Sequence, residues 1–339
     1  MNIGLSANLL YFKELVMAEI NASQYFISPR NGVNPKSYIG VEYGLYKYHI
    51  DKDQINNHIN NIHNTHLKLD GIHGLTVFGD SLSDTGNMYE KTHKIFPSTN
   101  QHYKGRFTNG FTWVDSLARP NGLFSRCVNK AMGGAVIGSY KLKDGFKSSV
   151  MSCLKKQISE TEINSDDLVI VFAGANDYMT LHKYDTGKVE TDQLTNLKTL
   201  IRKGAKNIVV VGTPDMSSTP AAARRSHQRQ TELAVLTDTH NARTKLMIEK
   251  LNSRNKNSDI RIHYFDIGEK MKVIINEANQ ISDYNTKESF YKKWYIKLFK
   301  NKKMVINHKY IFNDKVHPSQ EVQFILAYEM EKFIKSTFA

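Results

Sequence analysis

Cysteine is almost absent from this chain: Cys127 and Cys153 are the two thiols in 339 residues. A disulfide framework is therefore not what holds the fold. Both are read as free thiols, with one Cys127–Cys153 bridge as the alternative. No apolar run reaches the length that crosses a bilayer, so the chain is expected to be soluble or peripheral. The apolar patch from Leu9 to Phe12 has no basic segment before it and no small-residue cleavage site after it, which argues against a cleaved signal peptide. Several chemistries lose their markers as well. There is no Walker A loop, dinucleotide fingerprint, zinc-protease helix motif or Gly-x-Ser-x-Gly elbow. No helix-turn-helix, zinc-finger or RNP-type pattern points to nucleic acid, and no 20–50-residue repeat points to a solenoid.

What is present is enough to build a core. Hydrophobic residues make up 40% and charged residues 23%, a balance that excludes global disorder. The formal charge is +13, and it is unevenly spread. Residues 1–72 hold six basic and six acidic side chains, so the whole excess lies on residues 73–339. That excess suits an anionic membrane or an acidic partner protein, or is simply a lysine-rich solvated surface.

The chain divides near residue 72. Residues 1–72 are polar and Asn-rich, with Pro29, Gly32 and Pro35 as breakers, and read as a small, partly helical extension, in part disordered. His58, His63 and His66 within it have neither the spacing nor the companion ligands of a common metal site. From residue 73, short apolar runs alternate with amphipathic segments. The runs are 75–78, 168–172, 208–211 and 260–265, with a weaker one at 124–128. Helical periodicity falls on 111–117, 194–203, 231–251 and 321–333. Continuous apolar strands separated by helices predict an α/β sandwich around a parallel sheet.

Four short blocks sit where such a sheet would place them, at loops after strands or before a helix. Phe78-Gly79-Asp80-Ser81-Leu82-Ser83-Asp84 follows the first strand and presents a serine at its carboxyl end. Asn129 to Ala135 carries Gly133-Gly134, a turn at which a backbone N–H can approach a ligand. Phe172-Ala173-Gly174-Ala175-Asn176-Asp177 ends another strand with an amide donor. Asn313-Asp314-Lys315-Val316-His317-Pro318 precedes the last helix, with Pro318 suited to its first turn and Asp314 close enough to bond the imidazole. Each block alone is an ordinary turn or cap. Together they place a nucleophile, two oxyanion donors and an acid–base pair in one order along the chain.

These blocks resemble the SGNH/GDSL hydrolases, whose four named residues would be Ser81, Gly134, Asn176 and His317. The resemblance implies a flavodoxin-like three-layer sandwich and acyl transfer without metal or organic cofactor. It implies Ser81, Asp314 and His317 as the triad, and the N–H groups of Ser81 and Gly134 with Asn176 as the oxyanion hole. Longer stretches, including 90–93, 105–113, 174–183, and 312–314 with 316–318 and 320–322, resemble one group within the family, type III secreted glycerophospholipid:cholesterol acyltransferases. That likeness covers roughly residues 73–335. It implies a membrane phospholipid as donor, water or a sterol as acceptor, export into a host cell, a peripheral place on host membranes, and activation by the GTP-bound Rho-family GTPase RhoA. A carbohydrate O-acetylesterase with the same triad, or a module that only grips a host GTPase, would be the alternatives.

Residues 282–310 depart from that group. Phe290, Tyr291, Trp294, Tyr295, Leu298 and Phe299 recur at helical intervals, and Lys287, Lys292, Lys293, Lys297, Lys300, Lys302 and Lys303 surround them. The pattern predicts a helix that either lies in an anionic membrane interface, packs on the core, or covers the site as a lid.

Overall fold

A computed structural model describes residues 69–119, 122–140, 151–280, 284–291 and 310–339. The polar extension up to residue 68, with its three histidines and the patch at 9–12, lies outside the described residues. So do residues 292–309 of the aromatic and lysine-rich stretch.

Five strands form one fully parallel sheet: β1 (Gly74–Gly79), β2 (Arg126–Asn129), β3 (Asp167–Phe172), β4 (Asn207–Val211) and β5 (Arg261–Phe265). Their spatial order is β2-β1-β3-β4-β5. This is the flavodoxin-like order, in which the strand order reverses between β1 and β3 and a crevice opens beyond their carboxyl ends. Gly79 at the end of β1 is in register with Phe172 at the end of β3, so the serine and asparagine blocks leave the sheet side by side. A Cβ on Gly79 would collide with the Phe172 carbonyl, which is why glycine is needed there.

Side-chain alternation sorts the strands onto two cores. Leu75, Val77, Leu168, Ile170, Val209 and Val211 face one layer. Phe78, Val169, Val171, Ile208 and Val210 face the other. Side chains of this kind contribute about 1.5–3 kcal/mol each when fully buried. Burial on both faces explains why β1, β3 and β4 read as near-continuous apolar runs, whereas the edge strand β5 carries an exposed Arg261 and half-buried His263 and Tyr264. Leu69 and Ile72, at the end of the extension, are already buried in the first core.

The helices, in chain order, are α1 (Asn87–Lys91), α2 (Trp113–Leu117), α3 (Leu154–Ser159), α4 (Ala175–Met179), α5 (Thr186–Arg202), α6 (His227–Arg254), α7 (Ile267–Asn279) and α8 (Gln320–Phe338). Buried residues of α2, α7 and α8 join the first core, while those of α3, α5 and α6 join the second. The result is a three-layer sandwich. Several boundaries move from those expected. β2 begins at Arg126 rather than Phe124, and Phe124 is buried just before it. α5 begins eight residues early because Asp185 caps it, accepting from the N–H groups of Gly187 and Lys188.

The helix expected over residues 290–299 is corrected at its start. Residues 285–289 form a strand, β6 (Asn285–Ser289), parallel to β7 (Tyr310–Phe312). The N–H groups of Phe290 and Tyr291 continue the pairing, donating to the carbonyls of Phe312 and Asn313. At these two residues, pairing with the strand that leads into Asp314 overrides the helical spacing. Cys127 and Cys153 are both free.

Candidate active site

Ser81 follows β1 in a turn closed by Asp80, whose carbonyl accepts from the N–H of Ser83 and whose Oδ1 accepts from that of Leu82. The Asp80 N–H donates in turn to the Phe172 carbonyl of β3. Ser81 Oγ lies 2.7 Å from His317 Nε2. His317 Nδ1 lies 2.7 Å from Asp314 Oδ2. A carboxylate only accepts, so Nδ1 carries the proton and Nε2 accepts from the serine hydroxyl. Asp314 Oδ1 accepts from the backbone N–H groups of Val316 and His317. Residues 236 apart thus form one hydrogen-bonded line.

The environment sets the charges along that line. Burial would raise the Asp314 pKa, but the His317 charge and the hydrogen bonds from His102 and His317 hold this carboxyl well below its usual range. Burial would lower that of His317, yet the charge and hydrogen bond of Asp314, with the charge of Asp80, leave it above the ordinary imidazole value. Asp80 is pushed up to about 7 by burial, partly offset by the Leu82 hydrogen bond.

The two donor blocks are fixed by buried carboxylates. Asp84 accepts from the N–H groups of Gly86, Asn87 and Met88 at the start of α1 and from that of Gly133, tying the serine turn to the glycine turn. Gly134 adopts φ +76°, a conformation glycine holds without Cβ strain. Asp177 accepts from the N–H groups of Ile137 and Gly138 and from the Tyr140 hydroxyl, tying the asparagine turn to the same segment. Asn176 Nδ2 donates to the Ala135 carbonyl and its Oδ1 accepts from Thr180 Oγ1. Its orientation is set, and one amide hydrogen remains for a ligand. Among the described residues, no hydrogen bond uses the N–H of Ser81 or Gly134.

Ser81, Asn176 and His317 line one cleft. Gly134 lies on the adjoining turn and is not among the residues lining it. Most of the wall is apolar and comes from Leu82, Met179, Met216, Met271, Phe312 and Leu326. The loop after β4 and helices α7 and α8 supply much of it, and none of these positions stood out in the sequence.

One site residue was illegible beforehand. His102 Nε2 lies 3.0 Å from Asp314 Oδ2, the oxygen that also receives His317, and its Nδ1 faces the Ser98 carbonyl at 3.2 Å. Phe107 packs against both imidazoles, with ring centroids 5.9 and 5.1 Å away. The segment carrying these residues clamps the start of α8. Thr108 Oγ1 donates to the Pro318 carbonyl, and Asn109 Oδ1 accepts from the Gln320 N–H. Gln320 and Gln323 return acceptors to the N–H groups of Phe111 and Trp113. His102, Asp314 and His317 are also the one group among the described residues whose ligand atoms approach closely enough for a metal. Those same atoms already bond one another, so an ion would have to displace both hydrogen bonds.

The GDSL-like lipase/acylhydrolase family model matches residues 75–330, from β1 to within α8. The chain belongs to the GDSL-like lipase/acylhydrolase family. It is 35% identical over 325 residues to the secreted effector protein SseJ of Salmonella typhimurium, covering 94% of this chain and 77% of that one. It is 34% identical over 157 residues to the phosphatidylcholine-sterol acyltransferase of Aeromonas hydrophila, covering 44% and 46% respectively. The crystal structure of the lipase/acylhydrolase from Enterococcus faecalis aligns with 79% of this chain and 98% of its own, at 16% identity and a TM-score of 0.43. In this GDSL-family chain the Gly-Asp-Ser-Leu sequence itself is residues 79–82.

Proposed function

We propose that this protein is a serine-dependent lipid acyl hydrolase and acyltransferase. It takes an acyl group from a membrane glycerophospholipid and passes it to water or to a sterol. The observation that carries this reading is the Ser81–His317–Asp314 line opening on an apolar cleft.

Ser81 Oγ attacks the ester carbonyl carbon while its proton passes to His317 Nε2, and Asp314 stabilises the imidazolium so formed. The oxyanion is received by the N–H groups of Ser81 and Gly134 and by the Asn176 amide. Collapse expels the lysophospholipid alkoxide, which takes the proton from His317 and leaves an acyl-serine. Water or a sterol hydroxyl then gives its proton to His317 as it attacks the acyl carbon. The second collapse returns that proton to Ser81. The apolar walls suit a long acyl chain, which a site for acetyl groups on a carbohydrate would not need. Likeness to a phosphatidylcholine-sterol acyltransferase supports the donor and acceptor classes. Likeness to a secreted effector supports secretion; action at host membranes and activation by GTP-bound RhoA are part of the same proposal.

The test is acyl release from phospholipid liposomes containing cholesterol, for wild type and Ser81→Ala, with and without GTP-loaded RhoA. Cholesteryl ester from wild type alone, increased by the GTPase, is the expected result. Turnover of acetyl esters with no lipid turnover in either condition would overturn the lipid reading. Activity surviving Ser81→Ala would overturn the mechanism.

A further inference from the structure

The turn after α1 carries two adjacent large apolar side chains out into solvent. Ile95 is 76% exposed and Phe96 51%. Elsewhere among the described residues, exposed large hydrophobics stand singly, which needs no explanation. A neighbouring pair on one tip does.

This tip is held out by its own backbone. Thr92 Oγ1 accepts from the Phe96 N–H at 3.0 Å and lies 2.8 Å from the Phe96 carbonyl. The N–H of His93 donates to Glu90, that of Lys94 to Tyr89 and that of Ile95 to Thr92. His93 and Lys94 both adopt positive φ, 52° and 66°, a conformation uncommon for non-glycine residues. The turn is therefore closed on itself by its own hydrogen bonds.

Charge surrounds the pair. Lys91, His93 and Lys94 are exposed on the same turn, and Lys104 is exposed on the neighbouring one, against a single exposed acid, Glu90. The turn also touches the site. Phe96 packs edge-on against Phe107 at 5.5 Å, and Phe107 lies 5.1 Å from the His317 ring.

We propose that the Lys91–Phe96 turn is the docking surface for an anionic phospholipid membrane, with Ile95 and Phe96 entering the interface and Lys91, Lys94 and Lys104 meeting the headgroups. Apolar side chains ringed by lysines bind such interfaces by combining buried area with headgroup attraction. Seating this turn in the bilayer places the lipid two ring contacts from His317. The inference rests on the lipid reading of the site and names the surface through which that site meets its substrate.

Partitioning of the full chain onto vesicles of phosphatidylcholine with phosphatidylserine, and onto phosphatidylcholine alone, tests it. The variants are Ile95→Asp and the charge reversal Lys91→Glu/Lys94→Glu, each checked by its melting temperature and by turnover of a soluble short-chain ester. Ile95→Asp is expected to weaken partitioning by at least about tenfold with ester turnover unchanged. The charge reversal should abolish the preference for phosphatidylserine. Wild type that ignores both vesicles, or Ile95→Asp that partitions like wild type, would overturn the docking surface. Acyl release from phospholipid in detergent micelles, where no bilayer must be entered, separates the two claims. Equal release by wild type and Ile95→Asp there leaves docking as the step affected, whereas no release by wild type, with or without GTP-loaded RhoA, refutes the lipid reading itself.

Discussion

His102 offers the sharpest test of how the site is organised. Its Nε2 shares Asp314 Oδ2 with His317, at 3.0 Å against 2.7 Å. His102→Ala removes one of two side-chain donors from a carboxylate whose other oxygen is already occupied by two backbone N–H groups. A hydrogen bond to a charged acceptor contributes about 1.5–3 kcal/mol when buried, and His102 is only 7% exposed. At roughly 2–4 °C per kcal/mol for a domain of this size, the melting temperature should fall by about 3–12 °C. The catalytic effect has a sign of its own. With one donor gone, the carboxylate's charge acts more strongly on His317, whose pKa already lies above the ordinary value for that reason. The acid limb of kcat/KM reports the free enzyme's base, so it should move to higher pH. The assay is the pH–rate profile of a soluble ester for wild type, His102→Ala and His102→Gln, the glutamine amide being able to restore a donor near Nε2. If the melting temperature falls while the acid limb stays put or moves down, His102 is only a packing residue and the shared-oxygen argument is wrong.

Three further outcomes follow from other contacts. Asn176→Ala should lower kcat by about 10²–10³ while leaving Ser81 reactive toward a fluorophosphonate, as loss of one oxyanion donor does; an unchanged kcat would remove Asn176 from the oxyanion hole. Asp80 binds a proton more tightly folded, at about 7, than unfolded, so its ionisation costs the fold stability progressively as pH rises from about 4 to 7. Asp80→Asn should therefore melt above wild type at pH 8 and with it near pH 4, and the opposite order would refute the burial argument. Glu331→Ala removes the carboxylate that meets the buried Arg119 at 2.7 Å and should cost about 1.5–3 kcal/mol in a denaturant titration; an unchanged midpoint would refute a stabilising role for the pair.

The legible part of the fold follows from burial. β1, β3 and β4 are buried on both faces, so no alternation was needed to see them, and their limits, like those of the edge strand β5, fall within one residue of those expected. β2 pairs on one side only and carries Arg126 and Asn129, which weakens its pattern. α7 escaped notice although Ile267, Met271, Ile274 and Ala278 follow a helical stripe and Asp266 caps it with Glu269 three residues on. That pairing of cap and stripe was the usable signal. At Phe290 and Tyr291 the helical spacing gives way to pairing with Phe312 and Asn313, partners that local periodicity cannot register.

The site was legible to the extent that it is local. Asp314 and His317 lie three residues apart on one turn, and Ser81 and Asn176 each follow a strand that could be read. His102 lies 212 residues from Asp314 in a polar segment without periodicity, so only the folded chain brings it there. The same holds for the clamp between residues 108–113 and the start of α8, which spans about the same separation. These long-range contacts share a purpose. The serine, the glycine turn and the asparagine come from neighbouring loops of the sheet, fastened to one another by Asp84 and Asp177. The acid–base turn comes from the far end of the chain and has no strand of that sheet to fix it. Its position relative to Ser81 must be set by contacts across the whole sequence, and the segment from His102 to Trp113 makes them. Loosening that segment should therefore impair alignment of His317 before it unfolds the sheet, and residues 102–113, outside the motif blocks, belong to the machinery as fully as the motifs do.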